Sequence, residues 1–295
     1  MSWIESMQKA LQFMEDHLLE NIKIEEIAKH AHSSSFHFQR TFSILTDMTV
    51  ADYLRRRRLT LAAQELASTD ARIIDIALKY GYETPEAFSK AFRKQHQLSP
   101  SDVKNHVGKI IAYNRLVIQV NLKGAEPMNY RIVERNGFKV VGVKREYSIH
   151  NEQNLIGIPK FWREVNQDGT DDLLFQLNNG KIKGVLGVCI CVDRDNRGEE
   201  HERIESGMID YWIGTEHVGV TPDNLLELDI PASKWAVFEV RGPMPDAMQT
   251  TWKKIMSEWF PSNAYVHAGT PDLEVYSDED PSSPDLYSEI WIPVK

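Results

Sequence analysis

Cysteine is nearly missing from this sequence of 295 residues, which holds only Cys189 and Cys191. Both lie in the apolar run GVLGVCICVD, where a strand puts them on one face and keeps them from bridging each other. Two thiols with no ligand cluster around them make no zinc site, so both read as buried small hydrophobes. Apolar runs of the ~18 to 20 residues that a membrane-spanning helix needs are missing as well, and no membrane partner is expected. The opening MSWIESMQKALQFMEDHLL is amphipathic and carries acids, which argues against a secretory leader and for a cytoplasmic protein. Nucleophile elbows, phosphate loops and metal spacings are missing too. The reading is therefore no enzyme, with no catalytic residue, no metal ligand and no cofactor.

What is present is enough chain for two cores, since single cores seldom grow past about 250 to 300 residues. The net charge of −9 speaks at first against nucleic acid, but the charge is unevenly spread. Residues 1–112 carry 15 Lys and Arg against 14 Asp and Glu, while residues 113–295 carry 19 against 29. A near-neutral first part with clustered bases can still neutralise phosphates locally, because counterion release depends on which charges meet the backbone.

The first hundred residues contain one unit twice. IEEIAKHAHSSSFHFQRTFSILTDMTVAD aligns with IIDIALKYGYETPEAFSKAFRKQHQLSPSD: Ile27 and Ala28 match Ile76 and Ala77, and Phe38, Arg40 and Phe42 match Phe88, Lys90 and Phe92. Each unit predicts a short helix with a small Ala for close approach, a turn, and a second helix whose Phe pair at i and i+4 faces inward. In the second unit Gly81 suits a positive φ, Thr84 a cap and Pro85 the first helical position. His32 stands where Gly81 would. Between the units, Thr49 to about Ala67 predicts a helix with Val50, Leu54, Leu61 and Leu66 inward and RRRR, Arg55 to Arg58, along its sides. Such a helix spans roughly 28 Å, near the ~34 Å between successive major-groove faces, and acts as a ruler.

These residues, with SSSFHFQRTF, YLRRRRL and AFSKAFRKQHQLSP, resemble the double helix-turn-helix DNA-binding domain of the AraC/XylS family of bacterial transcription regulators over about residues 5–107. Family members usually carry Gly where Asp47 and Gln97 stand, so here both turns must take a non-glycine residue. The resemblance implies that the helices near Ser35 to Leu45 and Pro85 to His96 enter successive major grooves of double-stranded DNA. It places Ser35, Phe36, Gln39 and Arg40, and then Pro85, Glu86, Ser89 and Lys90, against bases or nearby backbone. Arg40 can pair with guanine, Gln39 with adenine, and Glu86 can accept from cytosine, whereas Pro85 brings no donor. Two reading helices in one chain make a palindromic site unnecessary.

Beyond an irregular stretch ending in KGAEP, NYRIVERNGFKVVGVKREYS predicts two strands joined in a hairpin at Asn136-Gly137. A helix follows with Ile158, Phe161, Trp162 and Val165 on one face. LLELDIPASKWAVFEVRGPMPDAMQTTWKKIMSEWF repeats that order, with Met248, Trp252, Ile255, Met256 and Trp259 on its helix. The strands VLGVCICV, MIDYWIG, LEVYS and SEIWIPV complete two similar halves. DYWIG and LYSEIWIPVK resemble the GyrI-like effector-binding domain, which implies a pseudo-twofold α+β fold and a groove for a small hydrophobic or cationic effector.

The expected architecture is multidomain: an all-α double helix-turn-helix domain over residues 1–107, a linker over 108–127 and a GyrI-like domain over 128–295. Alternation of the last strand puts Tyr287, Glu289 and Trp291 on one face and Ser288, Ile290 and Ile292 on the other. A carboxylate between two rings can hold a delocalised cation; equally, the two Ile can face the core while Glu289 is solvated. The residues alone leave both open, and the resemblance favours the pocket. Trp212, Tyr147 and Trp162, then Tyr211 and Glu274, are further candidates. The expected function is a sequence-specific regulator, an activator with RNA polymerase as a partner, modulated through its second domain by an effector or partner protein. The competing readings are a hydrolase acting on reactive small molecules and a structural module on a constitutive DNA binder.

Overall fold

Hydrophobic spacing changes from helical to alternating along the chain, and the computed structural model, which describes residues 3–106, 108–118, 127–148, 153–191 and 208–295, changes from helices to sheet with it. Two compact units result, residues 1–32 with 38–121 and residues 122–295 with 33–37. Among the described residues no helix is long and apolar enough to cross a membrane.

Among the described residues seven helices come first: α1 (Trp3–Asp16), α2 (Ile24–His30), α3 (Ser35–Thr46), α4 (Val50–Ser68), α5 (Ile73–Lys79), α6 (Pro85–His96) and α7 (Pro100–Lys104). The repeat folds as its spacing dictates. Phe38, Phe42, Phe88 and Phe92 are at most 1% exposed, as are Ala28 and Ala77. The Thr84 hydroxyl accepts from the Ala87 N–H and Pro85 opens α6. Gly81 takes φ 84°, while His32 (50°), Asp47 (52°) and Gln97 (57°) adopt the left-handed region without being glycine. Such a residue costs roughly 1–2 kcal/mol, which the packed helices on either side sustain.

One helix serves both units of the repeat. Leu59, Ala62, Ala63 and Leu66 of α4 pack with Ile76, Ala77, Phe88 and Phe92, and near its other end Tyr53 meets the Phe42 ring at 5.8 Å. The arginine run fixes this helix rather than merely lining it. Arg57 forms a two-pronged pair with Glu15 of α1, whose side chain is 8% exposed, at 2.8 and 2.9 Å and also donates to the Tyr113 carbonyl at 2.7 Å. Arg58 donates to the carbonyls of Leu18 and Glu20 just past α1, and Arg56 lies over the Tyr113 ring. Arg55 pairs with Asp52 on its own helix.

The second unit is built, among the described residues, on an eight-stranded antiparallel sheet. Its strands are β1 (Tyr130–Arg135), β2 (Phe138–Ser148), β3 (Val185–Cys191), β4 (Met208–Glu216), β5 (Leu226–Ile230), β6 (Ser233–Arg241), β7 (Asp272–Tyr276) and β8 (Tyr287–Val294), in the order β1-β6-β8-β7-β3-β4-β2-β5. Exchanging β1–β4 for β5–β8 reverses that order onto itself, so the two halves are related by a pseudo-twofold between β3 and β7. Here the sequence expectation is corrected. Asn136-Gly137 makes no hairpin, because β1 pairs with β6 and β2 with β4 and β5. Each half lends its first strand to the other, and the two short connections cross. A Cβ on Gly137 would lie 3.0 Å from the Ile230 carbonyl oxygen, so glycine is needed for close approach rather than for a turn.

Helices α8 (Gln153–Asp168) and α9 (Thr170–Leu177) lie on β2–β4, and α10 (Asp246–Lys254), continued by a π turn over Ile255–Trp259, lies on β6 and β8. Phe161, Val165, Met248, Trp252, Ile255, Met256 and Trp259 are all buried, on the faces their spacing predicts. The opposite face of the sheet closes on its own apolar cluster, which includes Val188, Trp212, Trp235, Val237, Leu273 and Trp291. Cys189 is buried and forms no disulfide among the described residues; the side chain of Cys191 lies outside what is described.

The Glu15–Arg57 pair makes a test of this brace. Burial alone would push the Glu15 carboxyl up, but hydrogen bonds from Arg57 and Tyr53 and the Arg57 charge outweigh it and hold the group below its usual 4.5. Its contribution is therefore complete above about pH 4.5 and lost as pH falls. Glu15→Gln leaves a nearly buried guanidinium without its counter-charge and should lower unfolding free energy by about 3 kcal/mol at pH 7. Denaturant titration across pH 3–7 checks both statements: the variant should also lose part of the parent's acid sensitivity.

Candidate functional site

The expected reading helices are α3 and α6. Ser34 Oγ accepts from the His37 N–H at the start of α3, and Thr84 does the same work for α6. On α3, Ser35, Gln39 and Arg40 are partly accessible, whereas Phe36 is buried at 9% exposure. On α6, Glu86 and Lys90 are exposed and Pro85 and Ser89 partly so, on the side opposite Phe88 and Phe92. Arg93 and Lys94 add exposed positive charge to its last turn. The first helix thus offers amide and guanidinium groups capable of two-pronged base contacts, and the second offers a carboxylate and an ammonium.

In the second unit the candidate effector residues fall on two faces. Glu289 lies where alternation puts it, accepting from Tyr287 Oη at 2.5 Å and from Trp291 Nε1 at 2.7 Å. It also accepts from Arg131 at 2.8 Å, so a cation of the protein's own already occupies this carboxylate. Burial, with Glu289 accepting its proton, pushes the Tyr287 hydroxyl up. Trp212 is on this side too, packed in the apolar cluster.

The other face, beneath the helices, gathers what sequence reasoning ranked lower. Trp162 of α8 donates from Nε1 to Tyr211 Oη at 2.9 Å and meets the Tyr276 ring edge-on at 4.9 Å. Glu274 accepts from Trp252 Nε1 of α10 at 2.8 Å and from Tyr276 Oη at 2.9 Å. The half-buried carboxylate is paired across the strands with Gly187, the central pair of the five-residue β3·β7 ladder on the pseudo-twofold. A Cβ on Gly187 would lie 2.5 Å from Tyr211 Oη and 3.4 Å from the Trp162 ring, so its bareness is what lets the rings close over this point. Tyr147 stands apart from this group; its hydroxyl donates to the Gly157 carbonyl of α8 at 3.1 Å. Trp252 and Tyr276 were missed as site residues. The signal for Tyr276 was present, since LEVY alternates carboxylate and ring just as YSEIW does.

A repeated helix-turn-helix joined to a duplicated α+β domain defines the class of transcription regulators that carry an effector-binding domain. Residues 27–106 match a helix-turn-helix domain family, and residues 131–294 match the integron-associated effector binding proteins. Among characterised relatives, 107 residues are 36% identical to the regulatory protein SoxS of Escherichia coli K12, covering 36% of this chain and all of that protein. Over 100 residues the chain is 44% identical to the uncharacterised HTH-type regulator YbfP of Bacillus subtilis 168, covering 34% of each chain, so it spans about a third of that relative's length. A solved structure of a protein bound to tetraphenylphosphonium is similar at 27% identity with a TM-score of 0.49, over 57% of this chain and 94% of that one. The chain belongs to the AraC-type regulators through its first domain and to the integron-associated effector binding family through its second.

The two candidate reading helices should differ in a measurable way. Arg40→Ala should cost ~1–3 kcal/mol on a preferred site and relax its sequence preference, while Lys90→Ala should weaken binding to all duplexes more evenly. Fluorescence anisotropy with preferred and scrambled duplexes at two salt concentrations separates the outcomes; equal loss of preference from both changes contradicts the assignment.

Proposed function

We propose that this regulator is a cytoplasmic activator that binds asymmetric DNA as a single chain, contacts RNA polymerase, and changes its output when a lipophilic cation fills the Glu274 site. The observation that carries the effector reading is the Glu274 carboxylate on the pseudo-twofold, enclosed by Trp162, Tyr211, Trp252 and Tyr276 from both halves. Rings present negative faces to a cation and the carboxylate supplies net charge, while two N–H and O–H donors hold that carboxylate as an acceptor. A non-enzymatic role is preferred since the sequence holds no nucleophile motif or phosphate loop.

Titration of the full chain with methyltriphenylphosphonium and with neutral triphenylphosphine oxide tests this. Glu274→Gln keeps the shape and removes the charge, so affinity for the phosphonium should fall by roughly tenfold or more while the neutral ligand is little affected. Glu289→Gln should change either affinity far less. Equal binding of both ligands by parent and Glu274→Gln contradicts the proposal.

A further inference from the structure

On the sheet face away from the helices, the second unit carries a hollow of about 500 Å³ whose charge runs against that of its surroundings. Residues 113–295 are acidic, yet Arg131, Arg135, Lys181 and Lys183 border this hollow against only Glu134 and Glu289. Both carboxylates are already matched, Glu289 by Arg131 at 2.8 Å and Glu134 by Lys234 at 3.2 Å. Arg135 is also occupied: buried Glu216 pairs with it at 2.8 Å. Burial would push Glu216 up, but Arg135 and the Ile182 N–H hold it below its usual range, so this pair stays charged and fixed.

That leaves Lys181 and Lys183, both exposed and without an ion pair among the described residues; Arg131 gives one guanidinium nitrogen to Glu289, and its 46% exposed side chain carries further N–H donors. The walls beneath them are apolar: Ile182, Val275 and Trp291 are 3%, 4% and 5% exposed. We infer that this hollow is a second ligand site, one that takes an amphipathic organic anion, with its carboxylate or sulfonate at Lys181, Lys183 and Arg131 and its apolar body against Ile182, Val275 and Trp291. Charge-assisted hydrogen bonds from three donors fix the head group, and the dry walls reward the body. The site lies back to back with the cation cluster, since Val275 follows Glu274 on β7 and pairs with Glu289 on β8. One strand pair thus presents an anion-binding face and a cation-binding face.

The test titrates the full chain with fluorescent 1-pyrenebutyrate and with neutral 1-pyrenebutanol. The parent should bind the carboxylate more tightly than the alcohol. The double variant Lys181→Gln, Lys183→Gln alters only exposed side chains and should weaken pyrenebutyrate binding by roughly tenfold, with methyltriphenylphosphonium binding unchanged. Glu274→Gln should not weaken pyrenebutyrate binding. The inference is overturned if the alcohol binds as well as the carboxylate, if the double variant matches the parent, or if Glu274→Gln abolishes carboxylate binding.

Discussion

Neither unit of this chain can cover its own apolar surface with a single copy of the element it repeats, and that constraint shapes both. A helix pair of about 25 residues has too little interior to stand alone. The two helix-turn-helix copies solve this by sharing α4, whose Leu59, Ala62, Ala63 and Leu66 complete the second core while Tyr53 packs against the first. The sheet solves it by exchange: β1 pairs with β6 and β5 with β2, so neither half has a complete sheet without the other. Function follows from the sharing. A common helix sets the relation of the two candidate reading helices, and the exchanged halves meet at a pseudo-twofold that places one carboxylate, Glu274, opposite one glycine, Gly187.

Charge is used inward in this protein more than its sequence suggests. The run Arg55 to Arg58 is expected along the sides of its helix, but Arg57 and Arg58 are committed to α1 and the chain just past it. Arg135 and Glu216 pair behind the sheet, and Arg131 holds Glu289. Buried pairs of this kind add little net stability over apolar packing but are costly to break, which suits groups that fix geometry. The groups left for ligands are those at the edges of such networks: Lys90 on α6, Lys181 and Lys183 beside the sheet.

The helical unit was almost wholly legible in the sequence. Repeated Phe pairs at i and i+4, small Ala at the helix contacts and the Gly-Tyr-Glu-Thr-Pro turn each impose one local geometry, and together they impose one fold. The left-handed turns at Asp47 and Gln97 could be expected only from the resemblance, since AraC/XylS-family members usually carry Gly at these positions. The strands and helices of the second unit were legible as elements, but their pairing was not. Asn136-Gly137 carries the local chemistry of a hairpin, and only the second copy of the strand pair, which offers each β-edge a better partner, decides otherwise. The site suffered from the same limit. Alternation correctly grouped Tyr287, Glu289 and Trp291, but nothing local in YSEIW reveals Arg131, which lies 158 residues away in sequence. Glu274 with Trp162 and Trp252 is a product of the pseudo-twofold, and symmetry between halves becomes visible only once the strands are ordered.

The central claim is that α4 holds α3 and α6 so that one chain reads two successive major grooves. Hydroxyl-radical footprinting of the full chain on its own upstream DNA tests it most directly, with chain-to-site stoichiometry measured in the same complex. One chain per site should protect two stretches on the same face of the duplex, about 10 base pairs apart, without twofold symmetry between them. A single protected stretch, or a symmetric footprint that fills only with two chains, would contradict it.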